Sequence, residues 1–311
     1  MSKDENNPSS DIRESTAGER PLPAPWQPLT PRGVAAFCNA RIGRLLVVQL
    51  IFASLVAASV IWFLASVWFP IIREAMSQLP DTGFIQNEQL RSPRVSTDPL
   101  TENRYLAFVM DVDSVGTPRL ATDLRVEFNR HSFALCSLLG CLTFNYPKDS
   151  TIQFNRPELE SWWGAWQLVI YWLVGLSVIV WLFVTWFVLA SLYCPLVRIC
   201  AFFKDRQLTL VGSWKLSAAA LLPAALMAAG TIVLYGLGMI DLIGFLILWV
   251  LHLVMGWIYL FFSTLRLPRT SDARLPVRNP FGDDNDQPPA NPFSLEVSEP
   301  TVEPPSPPNP Y

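Results

Sequence analysis

The sequence predicts a multi-pass α-helical membrane protein with four transmembrane helices and a small β-rich extracytoplasmic domain between helices 1 and 2. Three observations predict it. Of 311 residues, 51% are hydrophobic and only 16% charged, where an ordinary soluble domain carries about 25% charged residues. The deficit is concentrated, because no Asp, Glu, Lys or Arg occurs in 45–69, 168–192, 216–237 or 242–265. Between the first two runs the apolar residues switch to a period of two, the signature of half-buried strands.

Each uncharged run exceeds the roughly 20 residues that cross a ~30 Å hydrocarbon core. Four such runs in so short a chain leave little else to bury them as helices of a soluble protein. The first is a retained anchor and no secretory signal, being longer than an h-region of about 7–15 residues and lying behind a polar leader. The expected order is a disordered cytoplasmic N-tail over 1–40, spans over 45–69, 165–193, 216–237 and 242–265, and the β-rich domain over 70–161. A basic cytoplasmic loop occupies 194–215, and a disordered, Pro-rich acidic cytoplasmic tail 266–311. Twelve prolines follow Leu267, and neither tail carries enough apolar side chain to offset its ordering entropy.

Orientation follows from charge. Arg32, Arg41 and Arg44 precede the first run; Arg198, Lys204, Arg206 and Lys215 fill the second connection; Arg266, Arg269, Arg274 and Arg278 follow the fourth. Short loops rich in Lys and Arg stay cytoplasmic, so both termini are expected inside a plasma or inner membrane. Trp162, Trp163 and Trp166 mark the outer interface, where amphipathic rings favour the headgroups.

In the connecting domain, Leu124, Val126 and Phe128 alternate with polar residues, as do Leu142, Phe144 and Tyr146, and Ile152 with Phe154. These read as antiparallel strands, preceded by a small hairpin over 84–90 centred on Gln86 and Asn87. A helix from Pro70 to Leu79 continues the first span outward. In the third run Ala220, Ala224 and Ala228, with Ala225 and Ala229 beside them, make a face flat enough for close helix contact. Pro223 lacks an N–H and is expected to kink it.

Candidate chemistry is sparse. The string from Leu106 through Asp111 and Asp113 to Val115 resembles the first motif of haloacid-dehalogenase-type phosphotransferases, where the first Asp is the nucleophile and the second the acid/base. That fold needs a parallel sheet with crossover helices and further Lys and acidic motifs, whereas the residues that follow alternate. A strand running into a polar turn is therefore the expectation, with a Ca²⁺ site at the two carboxylates as the lesser alternative. Cys136 and Cys141 can form a disulfide in an oxidising compartment or remain two buried thiols. His252 is the one titratable side chain within a run, either a group facing a cavity or a neutral imidazole bonded to a neighbouring helix. The tail carries Asn279-Pro280-Phe281, Asn291-Pro292-Phe293 and Asn309-Pro310-Tyr311, tight turns that each present one ring for docking.

Leu79-Pro80, Phe84-Ile85-Gln86-Asn87 and Leu90, the strand into Asp111 to Gly116, and Trp214 to Pro223 carry a resemblance to a bacterial four-helix membrane-protein family known only as a domain of unknown function. It covers residues 40–265. The last three runs are more weakly similar to the Yip family of trafficking-related membrane proteins. Neither resemblance implies a catalytic residue or cofactor.

The expected function is thus non-enzymatic: binding, sensing or steadying a partner through the extracytoplasmic domain. The expected partners are the lipid bilayer and another membrane protein or a second copy, with no nucleic acid. A transporter component or accessory subunit, with His252 and Pro223 lining a helix interface, is the alternative, and a trafficking-type scaffold using the Asn-Pro-aromatic tail the third.

Overall fold

The computed structural model describes residues 27–93, 99–112, 122–148, 150–206 and 208–268. Four helices among them are long and apolar enough to cross a membrane: Ile42–Ser77, Arg156–Phe203, Leu210–Gly236 and Leu242–Leu265. The first comprises α2 (Ile42–Phe63), a π turn over Leu64–Trp68, and α3 (Phe69–Ser77). Pro70 offers no N–H to the turn before it, and the helix widens there to five-residue spacing, Phe69 N–H reaching Leu64 O.

The second helix, α4 (Arg156–Phe203), outruns the expected 165–193 at both ends. Asn155 caps it by accepting from Glu158 N–H, and Pro157 is preset for the first turn. At its far end a charged residue stops an apolar run without stopping a helix, and α4 continues past Pro195 through ten residues assigned to the basic loop. At 1.5 Å per residue it measures about 72 Å, more than twice a ~30 Å hydrocarbon core. The third helix also starts before its expected boundary at 216. Thr209 caps α5 (Leu210–Ala220), a break at Leu221 follows, and Pro223 opens α6 (Leu222–Gly236). Lys215 lies within α5 because its long stem carries the ammonium to Ala40 O at 2.7 Å. Asp241 caps the last helix, α7 (Leu242–Leu265).

The expectation of disorder through residue 40 is corrected. Thr30 caps a short helix, α1 (Pro31–Ala36), and a 3₁₀ turn Phe37–Asn39 follows. Val34, Ala35 and Phe37 are fully buried against α5 and α7. A polar, Pro-rich average over thirty residues hides the short apolar string from Val34 to Cys38, which is long enough to close one end of a bundle. The same end gathers the other basic segments, with Arg206 donating to Leu267 O and Tyr259 Oη to Leu29 O. The alanine face of α5 and α6 sits in the centre, in contact with α2, α4 and α7.

Among the described residues, eight strands lie between α3 and α4. A three-stranded sheet has the order β2-β1-β8, from β1 (Phe84–Gln86), β2 (Gln89–Arg91) and β8 (Ile152–Gln153). The β1–β2 turn centres on Asn87 and Glu88, both at positive φ, one residue later than expected; two such residues match the twist of a two-residue hairpin. A five-stranded sheet has the order β3-β4-β5-β6-β7, from β3 (Thr101–Glu102), β4 (Leu106–Asp111), β5 (Leu124–Asn129), β6 (Ser132–Ser137) and β7 (Gly140–Asn145). The expectation of wholly antiparallel strands is corrected here, because β4 and β5 run parallel from Leu106↔Leu124 to Asp111↔Asn129. Alternation specifies which face a residue takes and not the direction of the neighbouring strand, and the connection over 112–123 is long enough for a crossover.

Register places Leu106, Phe108 and Met110, Leu124, Val126 and Phe128, Phe133 and Leu135, and Leu142 and Phe144 on one face. The β4 side of that face is covered by Leu79, Leu100 and Phe154, and the distal part by Ile85, Leu90 and Tyr146. Burial pushes the Tyr146 phenol above its ordinary range, while its Oη donates to Asn129 O at 3.1 Å. An unfolded tyrosine ionises near pH 10. Raised ionisation in the fold therefore contributes stability that is fully present below about pH 10 and is lost as pH rises through the folded value. Tyr146→Phe is expected to flatten the alkaline loss of near-UV circular dichroism. An unchanged alkaline limb would place the destabilising ionisation elsewhere.

Candidate functional site

Two features stand out once the chain is folded, and both are built on α6. The first is a cleft of about 490 Å³ between α4 and α7, floored by α6 and flanked by α2. Its floor is Ala224, Ala225 and Ala228, flat because each alanine projects only a methyl group from the helix. Leu182, Trp186 and Leu189 of α4 form one wall, Trp249, His252 and Leu253 of α7 the other, and Val56 and Val60 of α2 close the side. α4 and α7 meet where the rings of Tyr193 and Trp257 pack at a tilt, 5.1 Å apart. The volume falls within the ~300–1,000 Å³ of small-molecule sites, which are mostly apolar with a few placed polar groups. The polar groups here are Ser177, Thr185, Tyr193 and His252.

His252 lies about 15 Å along α7 from its start. It is half-buried, with its ring tilted over Trp249 at 4.9 Å and Nδ1 against Trp249 O. The imidazole therefore satisfies one nitrogen within its own helix and reaches no residue of another helix by hydrogen bond among the described contacts.

The second feature joins α6 to the β domain. Tyr235, in the last turn of α6, donates to Asp123 Oδ2 at 2.6 Å, and its own carbonyl accepts from Tyr105 Oη at 2.8 Å. Arg104 sends one nitrogen to Gly238 O and the other to Ile240 O, each at 3.0 Å. Gly238 has φ +72°, a conformation open to glycine, and that turn aims the carbonyls at the guanidinium. Phe63 packs against both tyrosines, at 5.8 Å from Tyr105 and 5.5 Å from Tyr235, whose rings are themselves 5.0 Å apart. Asn103 supports the arrangement: Oδ1 accepts from Tyr105 and Leu106 N–H, while Nδ2 donates to Val67 O within the π turn.

No family model, curated protein or solved structure matches this chain. Cys136 and Cys141 face each other across β6 and β7, bonded, with Cα atoms 4.0 Å apart. Asp111 is buried at the end of β4, opposite Asn129. The parallel β4–β5 pair supplies one element of the phosphotransferase pattern, but the other strand pairs among the described residues are antiparallel, and Asp113 lies outside those residues. So do Asn279, Pro280, Phe281, Asn291, Pro292 and Phe293. Among the described residues no three His, Cys, Asp or Glu side chains converge as a metal site would need. Trp163 packs inward on Phe69 at 4.8 Å, while Trp162 and Trp166 remain about half exposed.

Sequence reasoning missed Arg104, Tyr105, Asp123 and Tyr235. Their only local sign is a polar pair placed directly before an apolar strand, and a tyrosine ending an otherwise apolar helix.

Proposed function

We propose that this protein is a multi-pass membrane protein with both termini cytoplasmic, which works by binding a lipophilic ligand in the cleft between α4 and α7. The β domain is then extracytoplasmic. Outward-facing apolar area supports the membrane reading: Trp172, Leu173, Leu176, Trp181 and Phe187 of α4 are all more than 60% exposed, a surface that is costly in water and natural against hydrocarbon. Collection of the three basic segments at the end opposite the β domain supports the orientation.

The observation that carries the reading is that one helix serves both features. α6 floors the cleft with its alanines and holds the β domain through Tyr235. A ligand that binds differently to two positions of α6 shifts the population of both, and the outer domain reports it. The occupant is a slender apolar molecule that enters laterally from the bilayer, such as a lipid chain, with its one polar atom within reach of His252. We read the device as a sensor or carrier of its ligand.

A photoactivatable fatty acyl lipid should label α4 or α7 in the purified protein in lipid nanodiscs. Ala228→Trp, which fills the floor, is expected to remove most of that labelling with the helix content unchanged. Equal labelling of both proteins would sink the cleft as the site.

Orientation has its own check. Exposed Cys200 should react with an impermeant maleimide only after the cells are permeabilised, and a cysteine at exposed Lys148 should react in intact cells. Buried Cys38 and Cys194 should stay silent in both until the protein is denatured. Reaction of Cys200 first in intact cells would reverse the topology.

A further inference from the structure

The β6–β7 turn departs from what a water-facing hairpin requires. Ser137 pairs with Gly140, leaving Leu138 and Leu139 as the two turn residues, where Asn, Asp and Gly are the usual choices. Leu139 is 89% and Leu138 64% exposed. No charged side chain occurs from Ser132 to Tyr146, and Leu142, next along β7, is also exposed.

Strand directions fix where this turn points. β4 and β5 both begin at the helix bundle, since Tyr105 and Asp123 bond Tyr235 at the end of α6. β6 is antiparallel to β5, with Ser137 opposite Leu124, so β6 runs back to the bundle and turns there. The turn accordingly shares a cavity of about 450 Å³ with Asp241, Leu242 and Ile243, the first residues of α7. Ile243 is itself 56% exposed. Two exposed leucines thus stand level with the first turn of a helix apolar enough to cross a membrane.

The turn is also built to hold its shape. The Cys136–Cys141 bond spans its base, and Leu139 N–H is satisfied by Ser137 Oγ at 3.3 Å. A turn that meets its own backbone needs lowers the cost of leaving water.

From this we infer that the Ser137–Gly140 turn is a membrane-inserting tip: Leu138 and Leu139 enter the outer leaflet at the boundary between headgroups and acyl chains, and their ligand is the lipid itself. Amphipathic segments that bury apolar side chains about 5–10 Å into that boundary gain affinity from the area they cover. The disulfide keeps the two leucines directed downward, and the tip, with the Tyr235 junction, sets the height of the sheet above the bilayer. The inference rests on reading the four helices as spans.

The test places an environment-sensitive fluorescent amino acid, by codon suppression, at Leu139 of the full chain in nanodiscs. Other samples carry it at Leu138, at Asn145 and at Ile247. Asn145 lies at the far end of β7, roughly 17 Å from the turn at ~3.4 Å per residue; Ile247 is an exposed residue of α7. Phospholipid carrying a nitroxide near the top of the acyl chain is then added. Strong quenching at Leu139 or Leu138 and at Ile247, with little at Asn145, is expected. Quenching at Ile247 while both turn positions behave like Asn145 overturns the tip and leaves the spans standing. No quenching at Ile247 overturns the membrane reading on which the tip rests. A blue-shifted signal at Leu139 that no spin-labelled lipid quenches identifies a protein neighbour and overturns lipid as the ligand.

Discussion

Tyr235→Phe is expected to loosen the β domain from the helices while each stays folded. The variant keeps the ring, and with it the packing on Phe63 at 5.5 Å and Phe245 at 4.9 Å. It removes only the hydroxyl that donates to Asp123 Oδ2 at 2.6 Å. A hydrogen bond to a charged group contributes about 1.5–3 kcal/mol, and the larger cost arises when the remaining partner is held away from water. Tyr235 is buried and Asp123 half-buried, so a loss of roughly 2 kcal/mol is expected. It should appear as faster proteolysis between the β domain and the helices, with far-UV circular dichroism unchanged. Asp123→Ala tests the same bond from the other side. Because the two residues touch, their effects should fall short of additivity by about 0.5–3 kcal/mol in a double-mutant cycle. Simple additivity would show that the bond does not hold the junction. Tyr105→Phe acts on the Tyr235 carbonyl instead and should weaken the junction even in the Tyr235→Phe background.

Much of the helical layout was legible because it depends on a coarse property. Unpaired charge is costly in hydrocarbon, so the absence of Asp, Glu, Lys and Arg from long runs gives the number of helices apolar enough to cross a membrane among the described residues. Ala220, Ala224 and Ala228 likewise announce close packing through size alone. What stayed hidden depends on single side chains. Lys215 looks like the end of a loop, yet its reach to Ala40 O lets α5 start before it. Asn155 looks like a strand residue in an alternating string and instead caps α4. Alternation in 124–128 and 142–146 reveals which side chains share a face but is blind to strand direction, so the parallel β4–β5 pair had no local sign. The junction was hidden for a further reason: Tyr105, Asp123 and Tyr235 are separated by up to 130 residues, and no one of them is unusual where it stands.

Phe37→Ala is expected to have the largest single effect on stability. The ring is fully buried in the cluster that contains Leu45, Leu216 and Leu267, contributed by the first helix, the third, and the chain after the fourth. A Phe→Ala change at such a site costs about 3–5 kcal/mol, combining lost transfer energy with the cavity left behind. Neighbouring Cys38 gives a local readout. Burial pushes its thiol above the ordinary range, against the opposing pull of the Lys215 ammonium, so at neutral pH it is protonated and covered, and slow to alkylate. Loosening α1 and the 3₁₀ turn removes the cause of the shift, and the thiolate fraction and access rise together. Maleimide labelling of Cys38 should therefore speed up in Phe37→Ala well before the helices melt. The Lys215 bond to Ala40 O should also fail, since Ala40 directly follows the 3₁₀ turn that Phe37 begins. If Cys38 labels at the wild-type rate and the unfolding midpoint in detergent is unchanged, residues 30–40 are not packed on the bundle. The first helix would then be anchored by α4 and α6 alone.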